Sequence, residues 1–269
     1  MTTWWPAAAT SAVLATGYLG ALLARPAHLR PWSGLRTVAW LVGAVLVGVA
    51  LSPPLAEHAQ HDHGAHMAQH LLLGMYAPLG LVLGAPLTLV LGSAPRAAAV
   101  PLVRVLRSRP VHALSHPVTA AALSTGGLFA LYLTPLYELT RSSTVVHGLV
   151  LAHLLLAGCL YTWAIAGPDP APRRPGTTVR VATLVVAAGA HAFLAKLLYA
   201  DAVRTHADGT HHGAAMTDAA QAMYYGGDGA ELLLAVALFA WWYRRGGTRA
   251  GRSARAAPTA PSAPAVPLR

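Results

Sequence analysis

Met67-Ala68-Gln69-His70-Leu71-Leu72-Leu73-Gly74-Met75-Tyr76-Ala77-Pro78-Leu79-Gly80-Leu81-Val82-Leu83-Gly84-Ala85-Pro86-Leu87-Thr88-Leu89-Val90-Leu91-Gly92-Ser93 runs without a single Asp, Glu, Lys or Arg. A helix of about 20 apolar residues crosses the hydrocarbon core of a bilayer. This stretch exceeds that length and contains Pro78 and Pro86, so a kinked or tilted spanning helix is predicted over 67–93. Similar apolar stretches, divided by short polar loops, recur along the chain. They predict further spanning helices at about 4–24, 35–53, 118–137, 144–166, 178–200 and 219–243. Trp4 and Trp5 suit an interfacial belt at the start of the first. The short connection from Glu138 to Ser143 makes the fourth and fifth an antiparallel pair.

The predicted fold class is therefore all-α, a polytopic membrane bundle of about seven helices in one domain over residues 1–245. Residues 246–269, rich in Gly, Ala, Pro and Arg, are expected to form a disordered cytoplasmic tail. The composition agrees. Of the 269 residues, 55% are hydrophobic and 10% charged, where a soluble domain carries roughly 25% charged residues. The mean hydropathy is +0.49.

A formal charge of +10 does not point to nucleic acid, because the arginines are scattered among loops with no folded basic module to present them. They report orientation. Arg25, Arg30 and Arg36 follow the first span. Arg96, Arg104, Arg107 and Arg109 follow the third, and Arg173, Arg174 and Arg180 the fifth. Arg244, Arg245, Arg249, Arg252, Arg255 and Arg269 follow the seventh. The alternate loops hold only Arg141 and Arg204. The positive-inside rule then puts the N-terminus outside and the C-terminus inside. Val100–Ser108, with Arg104 and Arg107 among apolar residues, reads as a short amphipathic segment in the inner interface.

In that topology the histidines gather on the outer side. His58, His61, His63 and His66 crowd one loop, and His206, His211 and His212 another. Further polar residues enter the spans themselves: His70, His147, His153, His191, Asp218, Gln221, Asp228 and Glu231. Ionisable groups inside a bilayer are costly and mark function by default. His63, His66, Met67 and His70 fall at i, i+3, i+4 and i+7, one face of a helix if it extends that far, although Gly64 weakens such an extension. Imidazole and thioether together suit copper; imidazole also suits zinc. His147 and His153 are about 240° apart on a helix, so at most one of them joins His70. His191 is either a ligand or a helix–helix hydrogen-bonding group. Gln221 and Asp228 face nearly the same way, with Gly226, Gly227 and Gly229 allowing close approach of another helix. Lys196, the single lysine, is expected to reach the surface or to pair with an acid. Cys159 stands alone, which excludes an intrachain disulfide and a thiolate metal cage.

Three blocks resemble one known family. They are His66-Met67-Ala68-Gln69-His70-Leu71-Leu72-Leu73 with Ala77-Pro78 and Leu83-Gly84-Ala85-Pro86; Thr134-Pro135-Leu136-Tyr137-Glu138 with Val146-His147 and His153; and Asp218-Ala219-Ala220-Gln221 with Gly226-Gly227-Asp228. In this order they are similar to the CtaG-type cytochrome c oxidase assembly proteins of bacteria, which are seven-span membrane proteins. The resemblance implies a bacterial cytoplasmic membrane protein that matures a haem–copper oxidase, docks on its subunits and handles copper at the outer face. By carry-over it implies His66, His70, His147, His153, His191 and Asp218 as site residues; Met67 and Asp228 join them from the reading of the residues. An unrelated single-span copper chaperone bearing the same name uses a cysteine pair, which this chain lacks.

The leading expectation is a non-catalytic assembly factor with copper held by His66, Met67, His70, His147, His153, His191, Asp218 and Asp228. The alternatives are a copper or zinc transporter, which needs a polar path through the inner half as well, and a haem protein using two histidines as axial ligands.

Overall fold

The computed structural model describes residues 4–171, 174–207 and 212–256, with side chains except at 60–61, 205–207, 212–214 and 245–256. It is all-helical, with 85% of the chain in helix. Four helical stretches are long and apolar enough to cross a membrane: Trp5–Leu23, His63–Ser93, Thr144–Ala166 and Thr177–Arg204. Two bent pairs raise that number to six when each pair is one span: Gly34–Ala50 with Pro53–Ala59, bent by 53°, and Pro117–Leu133 with Leu136–Ser142, bent by 78°. The region expected as a seventh span lies in the helix His212–Ala256, where Asp228 and Glu231 lower the apolarity.

The helices are α1 (Trp5–Leu23), α2 (Gly34–Ala50), α3 (Pro53–His61), α4 (His63–Leu71), α5 (Ala77–Leu83) and α6 (Pro86–Ser93). There follow α7 (Arg96–Leu106), α8 (Arg109–Leu114), α9 (Pro117–Leu133), α10 (Leu136–Ser142), α11 (Thr144–Ala166), α12 (Thr177–Ala207) and α13 (His212–Ala256). α13 thus runs into the segment expected as a tail, whose remainder lies outside the described residues. No residue of α7 is buried.

A π-turn, Leu72–Tyr76, joins α4 to α5. Its cause is Pro78, which has no N–H to donate to Gly74 O. The ladder skips a residue here, and Ala77 N donates to Leu72 O. Gly158 of α11 lies against the Gly74 carbonyl, where any Cβ would overlap it. The next break is at Ala85, whose φ of 55° is left-handed. Pro86 follows at the first position of α6, where a missing N–H costs nothing. The donors beyond it are satisfied from afar by Asp169, which accepts from Leu87 N at 3.0 Å, Thr88 N at 2.7 Å and Thr88 Oγ1 at 2.6 Å.

The His63–Ser93 element runs through the bundle. α2 crosses α5 at glycines: a Cβ on Gly80 would stand 2.6 Å from Ala39 O. Small residues at such a crossing let backbones meet without a hydrophobic drive from water. One core joins Leu79, Ile165, Leu184, Leu234 and Leu238, and a second packs Met67 with Leu194, Ala219 and Met223. Outward faces are apolar: Leu156, Val186 and Leu232 are exposed. Arg180 is buried, bonds through its guanidinium to Ile165 O and lies over the Trp241 ring at 4.4 Å.

Candidate functional site

α4 begins at His63 because Asp62 caps it, accepting from Ala65 N at 2.7 Å. The cap satisfies a free donor of the first turn, and Gly64, sitting within that turn, does not interrupt the helix. His63, His66, Met67 and His70 therefore do share one helix. His66, Met67 and His70 are buried, and the rings of His66 and His70 lie 4.1 Å apart, centroid to centroid.

Three other helices complete the surroundings. His147, in the first turn of α11, brings its ring to 6.3 Å from that of His66. Tyr132, near the end of α9, places Oη 2.7 Å from His70 Nδ1 and 3.8 Å from Met67 Sδ. α10 folds back across the end of α9, after Thr134-Pro135, and turns Tyr137 inward. The Tyr137 ring meets His66 edge-on at 5.1 Å, and its hydroxyl lies 3.0 Å from His63 Nδ1. Gln69 anchors the opposite face of α4 by donating to Ala50 O at 2.8 Å.

One arrangement of protons satisfies both contacts of Tyr132. Tyr132 has a single hydroxyl proton. Donated to Met67 Sδ, it leaves Oη to accept from His70 Nδ1–H. The lone pair of His70 is then on Nε2. That atom is buried and has no hydrogen-bond partner among the described residues; the same is true of His66 Nε2. A metal-binding histidine characteristically donates its second nitrogen to a neighbouring group, which fixes the ring and its tautomer. Among the described residues no three His, Cys, Asp or Glu side chains form a ready-made cage. What the cluster offers is two adjacent imidazoles tilted by 59°, a thioether on the same helix and a third imidazole at its edge.

A cavity of about 160 Å³ opens beside this cluster, lined by His63, His66, Met67 and Tyr137 from one side and Asp201 and Met216 from the other. His191 stands deeper. It is buried on α12 and wedged against Gly227 of α13, where no Cβ would fit. It lines a second cavity together with His70 and Met67.

The remaining expected residues lie elsewhere. His153 is exposed, points to α9 and donates from Nε2 to Leu123 O at 3.1 Å. Asp218 is exposed near the start of the described side chains of α13. Asp228 is half-buried and does not line the cavity beside the His66 cluster. Lys196 is exposed and lies over the Tyr224 ring at 5.3 Å. His58 is exposed, its Nδ1 2.6 Å from Pro54 O. His211, and the side chains of His61, His206 and His212, lie outside the described residues. Sequence reasoning missed Tyr132 and Tyr137 as partners of the histidines. Tyr137 stands inside a quoted motif, but only the fold at Pro135 shows where it goes.

Residues 16–245 match the family model described as cytochrome c oxidase caa3 assembly factor. Over 192 residues, 69% of this chain, it is 33% identical to the uncharacterized protein Mb0105 of Mycobacterium bovis and to the uncharacterized protein MT0111 of Mycobacterium tuberculosis. An uncharacterized protein of Mycobacterium leprae is 34% identical over the same length. The chain matches 29% of the length of each of these relatives. No solved structure matches. The family model covers most of the chain and takes in every helix that builds the histidine cluster, so the chain belongs to the cytochrome c oxidase caa3 assembly factor family.

Proposed function

We propose that this chain is a non-catalytic, seven-span assembly factor of the bacterial cytoplasmic membrane that holds copper for a haem–copper oxidase. Copper is its cargo, taken up at the His66 end, which faces outside by the distribution of arginine. The observation that carries the proposal is the pair of buried Nε2 atoms on His66 and His70, without partners among the described residues, on rings whose centroids lie 4.1 Å apart. A buried nitrogen left unpartnered costs about 1–3 kcal/mol. Two on one helix face, next to a thioether, fit a soft cuprous ion. His147 is placed to join them.

A holding role fits better than passage through the membrane. Beyond the small cavity that His191 lines, the interior closes into the core of Leu79, Ile165, Leu184, Leu234 and Leu238. Arg180 and Asp169 beyond it are engaged with backbone groups of Ile165 and of α6. The test is replacement in a cell lacking the native protein. The His66→Ala/His70→Ala chain should assemble oxidase with its haem but deficient in copper. Full copper in that oxidase would defeat the proposal.

A further inference from the structure

Beneath the His66 cluster lies the second cavity, of about 40 Å³. A water needs roughly 10–15 Å³ of such space, so this one has room for an ion or very few waters. Its composition is unlike the rest of the interior. The chain has five methionines, at positions 1, 67, 75, 216 and 223. Met67, Met75 and Met223 line this cavity, while Met67 and Met216 line the outer one. The core elsewhere is built mainly from Ala, Leu and Val. Every methionine after the first thus stands on one of two adjoining cavities, and Met67 stands on both.

The second independent observation is polar. His191 Nδ1, Tyr161 Oη and Glu231 Oε2 are buried without hydrogen-bond partners among the described residues, and all three residues line this cavity. Buried polar groups are normally satisfied, so three around one small space indicate an occupant that bonds to them. Thioethers and imidazoles select a soft cation. A carboxylate at the same wall offsets its charge, as an ion inside a bilayer requires.

The backbone is shaped to produce this lining. In an α-helix, residues five apart differ by about 140° in direction, so His70 and Met75 would diverge. The π-turn at Leu72–Tyr76 closes on the fifth residue instead of the fourth. It brings Met75 round to the side of His70. Gly227 supplies the clearance that seats His191 opposite.

We infer that this inner chamber is a second cuprous site, formed by Met75 and Met223 with His191, and filled from the His66 cluster by way of Met67, which borders both cavities. The inference rests on the copper reading proposed above. No electron transfer or covalent step is involved; one ligand set replaces another around the same ion.

The test is anaerobic titration of the full chain, in detergent, with copper(I) buffered by a chromophoric chelator. Wild type should take up two ions. Met75→Leu/Met223→Leu, which conserves volume, should take up one, with sulfur neighbours of copper reduced in X-ray absorption. His66→Ala/His147→Ala should lose the outer ion and keep the inner. Two ions bound by the methionine variant would overturn the inference. So would a single wild-type ion lost only on changing His66 and His147, which leaves the proposed function standing. A single ion lost only on changing the methionines supports the inner site and sinks the outer one. No uptake by wild type sinks both. X-ray absorption of wild type alone decides the case should the variants not fold: copper without sulfur neighbours contradicts the chamber.

Discussion

Tyr132 Oη lies 2.7 Å from His70 Nδ1, and that contact leaves Nε2 as the unpartnered nitrogen of this buried histidine among the described residues. Tyr132→Phe removes the acceptor while keeping the ring. Nδ1 then lacks a partner and the tautomer is no longer held. Copper(I) affinity should fall 10–100-fold, the usual cost of losing a hydrogen bond behind a ligand. Competition titration against a chelator measures it. Unchanged affinity would mean that Tyr132 packs against His70 without orienting it.

The His66–Met67–His70 face was legible because a helix repeats on itself: i, i+1 and i+4 in that spacing need only helix to come together. The helical angle also separated His147 from His153, but it could not say which one faces inward. The structure turns His147 to His66 and sends His153 to Leu123. Prolines mark a break without giving its direction. Pro78 produces a π-turn that realigns Met75, and Pro135 precedes a fold of 78° that delivers Tyr137. Asp218 could not be placed from periodicity, since its direction depends on how α13 rolls against α12. Bends were not legible in the same way: the second expected span is a helix that ends at Ala50 and continues, after a bend of 53°, into α3.

Gly227 sets the distance between α13 and His191. Gly227→Ala drives a methyl group into the imidazole, and overpacking of this kind costs about 1–3 kcal/mol. The melting temperature in detergent should fall. Ala230→Gly, a nearby change on the same helix that adds no volume, should not displace His191. Histidine NMR signals read the displacement directly, and an unmoved His191 in Gly227→Ala would contradict this packing.

Asp169 acts as a remote cap for α6, replacing the cap that left-handed Ala85 does not supply. Asp169→Ala should destabilise the protein by roughly 1–2 kcal/mol, the scale of a lost N-cap. Asp169→Asn, which keeps an acceptor, should recover part of it. Thermal unfolding of the purified chain compares the three. Equal stability of Asp169→Ala and wild type would remove Asp169 from the account.

Orientation is tested by surface labelling. Histidine loops outside and arginine loops inside predict that a cysteine at His58→Cys reacts with a membrane-impermeant maleimide in intact cells, whereas one at Ala98→Cys reacts only after lysis. Both positions are exposed on the folded chain. The native Cys159 is replaced by Ser in each, so that only the introduced thiol reports. The reverse pattern would invert the bundle and place the histidine cluster at the cytoplasm.

The central claim is that His66 and His70 together hold copper. Its most direct test is the copper content of detergent-purified protein by mass spectrometry, after loading with copper(I) and washing, for wild type beside His66→Ala/His70→Ala. The account predicts tightly held copper in wild type and loss of the ion held at these two histidines in the double variant. Equal copper in the two proteins, or none in wild type, would contradict it.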